Sequence, residues 1–129
     1  MSLLDRGNLA TDFAAEWIAA WNAHDLDRIL KHYAPDVQFT SPFVSGLLKC
    51  PENTVRGVTA LRGYFRRALD AYPGLHFVLG RVYVGARSLV LVYQSVSNLQ
   101  AAEVMEFNDD GLVCRVCAHY VVEGPESRG

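Results

Sequence analysis

The sequence has little of what usually gives a small protein away. Its 129 residues include three cysteines, Cys50, Cys114 and Cys117. An odd count in a chain with no export signal argues for reduced thiols, not a disulfide framework. Cys114 and Cys117 form a C-x-x-C, but residues three apart on a strand point to opposite faces. They are expected to be small, buried or half-buried thiols and not a joint metal site. Charge of one sign is also missing: the net charge is −2, which offers no field to attract nucleic acid or an anionic membrane. No apolar run approaches the roughly 20 residues of a membrane span. The opening MSLLDRGNLATDF carries acids where a signal peptide would need a basic and then an apolar segment. A cytoplasmic location is therefore expected, with no membrane or nucleic-acid partner. Nothing matches a metal site, a phosphate-binding glycine loop or a nucleophile elbow, so no cofactor is expected.

What the chain does have is hydrophobicity. Half of its residues are hydrophobic and 20% are charged, the balance of a single globular domain with an ample core. From Thr11 to Ala23, Phe13, Ala14, Trp17, Ile18 and Trp21 recur at three- and four-residue spacings, one buried stripe of a helix. Asp25 is a natural N-cap for a second, short helix bearing Leu26, Ile29 and Leu30, which Pro35 should end. The alternation in VQFTSPF marks a strand closing at Pro42, and residues 42–58 read as a loop. A third helix, capped by Thr59, carries Leu61, Tyr64, Phe65, Ala68, Leu69 and Tyr72 on one face and stops at Pro73-Gly74. Its other face, Arg62, Arg66 and Arg67 with nearby Arg56, reads as a solvated surface, an anion site being the sharper alternative. Three β segments follow, LHFVLGRVYVG, SLVLVYQSVSNL and the hairpin AAEVMEFNDDGLVCRVCAHY; the second is apolar at nearly every position, so both its faces should be covered. Residues 123–129 read as a frayed tail. The order predicts an α+β fold, a strongly bent, mainly antiparallel sheet closed by three helices from the N-terminal half.

The hairpin carries the chemistry. With a two- or four-residue turn within Asn108–Gly111, Phe107 pairs with Leu112 and Glu103 with Val116. Ala101, Glu103, Met105, Phe107, Leu112, Cys114, Val116, Ala118 and Tyr120 then share one face. Val104, Glu106, Val113, Arg115, Cys117 and His119 share the other. A three-residue turn with a bulge at Gly111 would instead put Arg115, Cys117 and His119 beside Glu103, and bury an arginine at a cost. In the favoured register Glu103 is one acid on an apolar face, where desolvation raises the pKa of a carboxyl group and suits it to proton transfer. The bland alternative is that it satisfies a buried Tyr, Trp or Arg.

Particular stretches point to a family: W-N-A-H-D-L-D at 21–27, Y-A-P-D-V at 33–37, R-G-V-T-A-L-R at 56–62, Y-P-G at 72–74 and F-N-D-D-G-L-V at 107–113. In this order they resemble the nuclear transport factor 2-like superfamily, especially its SnoaL-like and ketosteroid isomerase-like branches, over about residues 12–122. The resemblance implies a cone-shaped cavity between helices and concave sheet, and dimerisation through the sheets. It does not choose among isomerases, cyclases, dehydratases, epoxide hydrolases and non-catalytic binding modules. Glu103 matches the ketosteroid isomerase acid that stays protonated and hydrogen-bonds the developing oxyanion. Tyr120 matches an aromatic wall position, and the oxyanion tyrosine of the first helix matches Trp17, whose indole N–H can still donate. The isomerase's aspartate base is replaced by Ser41, before Pro42, and an unassisted serine cannot replace it. Steroid isomerase activity itself is therefore not expected.

Two readings stand. One is a small enzyme acting on a hydrophobic carbonyl compound by proton transfer, as an isomerase, cyclase or dehydratase, with Glu103, Tyr120 and His119 as catalytic candidates. Trp17, Ser41, Phe39, Tyr93, Met105, Val116 and Ala118 are then candidates for its pocket. The other is a non-catalytic module that binds a small ligand in the cavity or a protein on the sheet.

Overall fold

The computed structural model describes residues 7–122; the segment read as a frayed tail lies outside them. Helix α1 (Gly7–Asn22) meets a short α2 (Leu26–Leu30), followed by strand β1 (Tyr33–Thr40). Next come a one-turn α3 (Val44–Leu48), a short β2 (Thr54–Arg56) and helix α4 (Val58–Ala71). Strands β3 (Val78–Val84), β4 (Ser88–Gln94), β5 (Gln100–Phe107) and β6 (Val113–Tyr120) complete the chain. The α+β class read from the sequence is the one observed. One mixed sheet has the order β2-β1-β6-β5-β4-β3, with β1 and β6 parallel and every other neighbouring pair antiparallel. Among the described residues, no helix is long and apolar enough to cross a membrane.

The helix stripes predicted from spacing are the faces that pack on the sheet. In α1, Ala14, Trp17, Ile18 and Trp21 are buried, and in α4 Leu61, Tyr64 and Phe65 are buried. Asp25 caps α2 as expected, its carboxylate accepting from the Arg28 N–H at 3.1 Å. Boundaries set by weaker signals moved. Pro35 does not end α2; it sits inside β1, exposed, where its missing N–H costs nothing. The cap of α4 is Gly57, not Thr59: a φ of 87° there favours glycine, and its N–H donates to Val37 O at 2.7 Å. The loop predicted at 42–58 contains α3 and β2, so a fourth, one-turn helix joins the three expected. In β4 the two faces do differ: Leu89, Leu91 and Tyr93 are buried, and the intervening residues are half-buried.

The hairpin register also needed correction. Glu103 faces Ala118, not Val116, and Phe107 faces Val113, not Leu112. The turn is longer than expected because Asn108 caps it: its side chain accepts from the N–H groups of Asp110 and Leu112, each at 3.0 Å. Gly111 completes it at φ 78°. A bulge at Cys114 then restores the phase, since the ladder is regular from Glu106–Arg115 onward and shifts between Glu106 and Phe107. Moving the pairing by two residues preserves which side chains share a face, so the expected inner set survives beyond the bulge. Before it the faces exchange: Val113 is fully buried, while Cys114 is half-buried with its thiol donating to Glu106 O at 3.5 Å. The bulge also breaks the alternation that would separate Cys114 from Cys117; all three thiols are free and half-buried.

Candidate functional site

The inner face of the sheet places the one buried acid among the described residues. Glu103 lies between Leu91 on β4 and Ala118 on β6. One step along, Tyr93, Ala101 and Tyr120 form the next row across the same strands. Both tyrosines are therefore diagonal neighbours of Glu103, within reach of a long side chain. Ala101 and Ala118 leave room for the carboxyl between them. The Tyr93 hydroxyl donates to Glu103 Oε1 at 2.7 Å in a buried bond.

Glu103 is 3% exposed and lines a cavity between the sheet and the helices. Trp17 and Trp21 of α1 form one wall, Tyr64 and Phe65 of α4 with Tyr72 at its C-cap a second, and Phe43 just before α3 with Leu47 on it a third. Phe77 closes the end near β3, held by a reciprocal pair of bonds: Asn22 Nδ2 donates to Phe77 O at 2.9 Å, and Phe77 N donates to Asn22 Oδ1 at 2.6 Å. The void is about 60 Å³, far below the roughly 300–1,000 Å³ of a typical ligand pocket. The aromatic lining fills most of the hollow, so a ligand has to displace some of it.

Burial sets the electrostatics. Loss of water pushes the Glu103 pKa from 4.5 up to about 7, and the hydrogen bond from Tyr93 opposes part of that rise by favouring the carboxylate. The nearby phenols move up too. Burial raises Tyr93, Tyr120 and Tyr33, and the Glu103 charge raises each further. Burial likewise pushes Tyr64 up to about 12, against a partly offsetting bond with Ser41. Near neutral pH the phenols are donors, and the carboxyl is the group that changes charge.

Of the residues predicted for the site, the fold gathers Glu103, Tyr120, Tyr93, Trp17 and Phe39 around the cavity. Trp17 arrives as an aromatic wall, its N–H given to the Tyr33 hydroxyl at 3.0 Å. Ser41, 1% exposed, stands behind the wall and reaches Tyr64 and Tyr120. Met105, Val116 and Ala118 are buried on the same face but pack beside Glu103 without lining the void. His119 is not brought there: it is exposed on the other face, its Nδ1 3.1 Å from Cys117 O, as the period of two requires for a neighbour of inward Ala118 and Tyr120. The sequence reading did not assign Trp21, Tyr64, Phe43 or Phe77 to the pocket. Trp21 and Tyr64 were on the predicted helix stripes, so they were placed in the core without being assigned to a cavity wall. Asn22, which positions Phe77, lies in the W-N-A-H-D-L-D stretch, but nothing in that stretch pairs it with a residue 55 positions away.

Comparison with known proteins fits this architecture. A model of the SnoaL-like domain matches residues 14–126. The chain belongs to the SnoaL-like family. A solved SnoaL-like protein of unknown function from Burkholderia thailandensis is 38% identical, with 88% of this chain and 94% of that one covered at a TM-score of 0.83. Two more distant neighbours show the fold alone. A candidate polyketide cyclase from Sinorhizobium meliloti is 15% identical, covering 84% of this chain and 94% of that one at a TM-score of 0.69. SalBIII, an epoxide hydrolase/cyclase-like enzyme of pyran ring formation in salinomycin, is 15% identical, covering 90% and 93% at 0.72. No curated protein matches the chain.

Proposed function

We propose that this SnoaL-like protein is an enzyme in which Glu103 moves a proton at the carbon next to the carbonyl of a small apolar compound. One observation carries the proposal: a buried carboxyl with a pKa near 7, held by a tyrosine, faces an apolar cavity. As the carboxylate, Glu103 takes the α-proton. The C–H electron pair becomes the enolate double bond, and the carbonyl π pair becomes the charge on oxygen. Tyr120, the second diagonal neighbour, donates to that oxygen while Tyr93 holds the base. Among the described residues lining the cavity, Glu103 is the one carboxyl group, with no histidine, lysine or cysteine beside it. This favours reactions in which one group takes and returns the proton: isomerisation, or ring closure by attack of the enolate on a carbonyl of the same molecule. Deuterium exchange tests the step without knowledge of the natural substrate. In D₂O the protein should accelerate exchange of the α-hydrogens of cyclopentanone, and Glu103→Gln should slow the catalysed exchange on the order of 10²-fold. Equal rates in both proteins would remove Glu103 from the chemistry.

The second reading, a non-catalytic ligand-binding or protein-interaction module, draws support from Ser41 at the place that the resemblance to ketosteroid isomerase gives to an aspartate base, and from the small void. It expects a neutral apolar molecule to co-purify and be recovered unchanged; conversion of that molecule counts against it. For the assembly, the row Tyr83, Val90, Val104 and Cys117 on the outer sheet face supports a homodimer through the sheets. Val113, predicted on that face, is buried on the inner side and takes no part.

A further inference from the structure

The two tryptophans of α1 lie one turn apart on one face and both line the cavity, but their N–H groups differ. That of Trp17 donates to Tyr33. Trp21 is 5% exposed, and its Nε1 is buried without a hydrogen-bond partner among the described residues. The rings around it, Phe65, Phe77 and Trp17 at centroid distances of 4.7, 5.5 and 6.0 Å, offer no oxygen or nitrogen lone pair, only the weak attraction of an aromatic face. Folded proteins rarely keep a buried donor idle. We infer that Trp21 Nε1 is a ligand-binding donor that receives a neutral oxygen, carbonyl or ether, of the cavity's ligand.

The chemistry of the lining chooses among acceptors. Among the described residues, no arginine, lysine or histidine lines the cavity, and Glu103 sits in it. A carboxylate or phosphate would enter without a counter-charge and beside a group that becomes negative, which is costly in an apolar site. A neutral oxygen needs only the N–H. The ligand class narrows to uncharged, mainly apolar molecules with an oxygen directed at α1. This inference rests on the cavity being a ligand site.

The test compares cyclopentanone with methylenecyclopentane, which has the same shape and no oxygen, by following the two indole N–H resonances of the protein in ¹H–¹⁵N NMR spectra. Trp21→Phe assigns them, and the remaining amide spectrum reports whether that variant is folded. Cyclopentanone should move the Trp21 resonance downfield and leave that of Trp17 nearly fixed, whereas methylenecyclopentane should produce no downfield shift. Trp21→Phe should weaken the ketone about tenfold, the worth of one hydrogen bond, and leave the alkene unchanged. If both compounds bind the wild type equally and the Trp21 resonance does not respond to the oxygen, the inference is wrong while the cavity remains a ligand site. If neither binds at millimolar concentration, the ligand-site reading fails and this inference with it.

Discussion

Replacing Glu103 with glutamine should make the protein more stable at high pH relative to low pH, by an amount fixed by burial. The carboxyl has a pKa of about 7 when folded against 4.5 as its ordinary value. Between those values the folded state holds the proton more tightly, so unfolding releases it and stability falls as pH rises. The penalty is absent below pH 4.5 and fully developed above pH 7. At 1.36 kcal/mol per pH unit it reaches about 3 kcal/mol, most of which develops between pH 5 and pH 8. Glutamine keeps an oxygen to accept from Tyr93 and has no charge to desolvate. Its amide group adds an offset of its own, but that offset does not change with pH. Denaturant unfolding of both proteins across pH 5–8 therefore isolates the effect: the stability difference should tilt toward the variant by about 2–3 kcal/mol, or roughly 10 °C in Tm for a chain of this length. A difference that is flat across this range, or that tilts the other way, would mean the carboxyl is not held in a dry site, and the proposed chemistry would lose its basis.

Other perturbations probe the surroundings. Catalysed α-hydrogen exchange should rise with pH through about 7 as Glu103 ionises; a profile falling over that range would make it an acid instead of a base. Tyr93→Phe removes the donor that favours the carboxylate, so the midpoint of that profile should move to higher pH, and an unmoved midpoint would show that the bond does not tune the group. Asn22→Ala deletes both bonds to Phe77 and should cost on the order of 1–3 kcal/mol in denaturant unfolding. A loss below 0.5 kcal/mol, roughly that of an ordinary surface change, would show that Asn22 does not hold this corner. Sedimentation at micromolar concentration should give a dimer mass, and a monomer mass would refute association through the sheets.

Where the sequence carried strong periodicity it was legible. The α1 and α4 stripes and the inward set Ala101, Glu103, Met105, Val116, Ala118 and Tyr120 follow from spacing alone. Glu103 stood out because an acid on an apolar face is costly unless something compensates, and here the pKa shift and Tyr93 do so. Tyr93 could not be phased, since β4 is apolar on both faces and alternation carries no contrast. The cavity walls on α4 and near α3 were hidden for a related reason: an aromatic facing a void and an aromatic facing another side chain look identical in one dimension. The turn length was misread because Asn108 works through its side chain, which makes a five-residue connection as compact as a shorter one.

The extra residue at Cys114 separates what happens at the hairpin tip from what happens at Glu103. Pairing is already regular at Glu106–Arg115, so residues 107–114 are free to change in number as long as some irregularity absorbs the remainder. Natural or engineered insertions at the tip can reshape that end of the sheet without rotating the acid away from the hollow, whereas adding or deleting a single residue between 115 and 120 would turn Tyr120 outward.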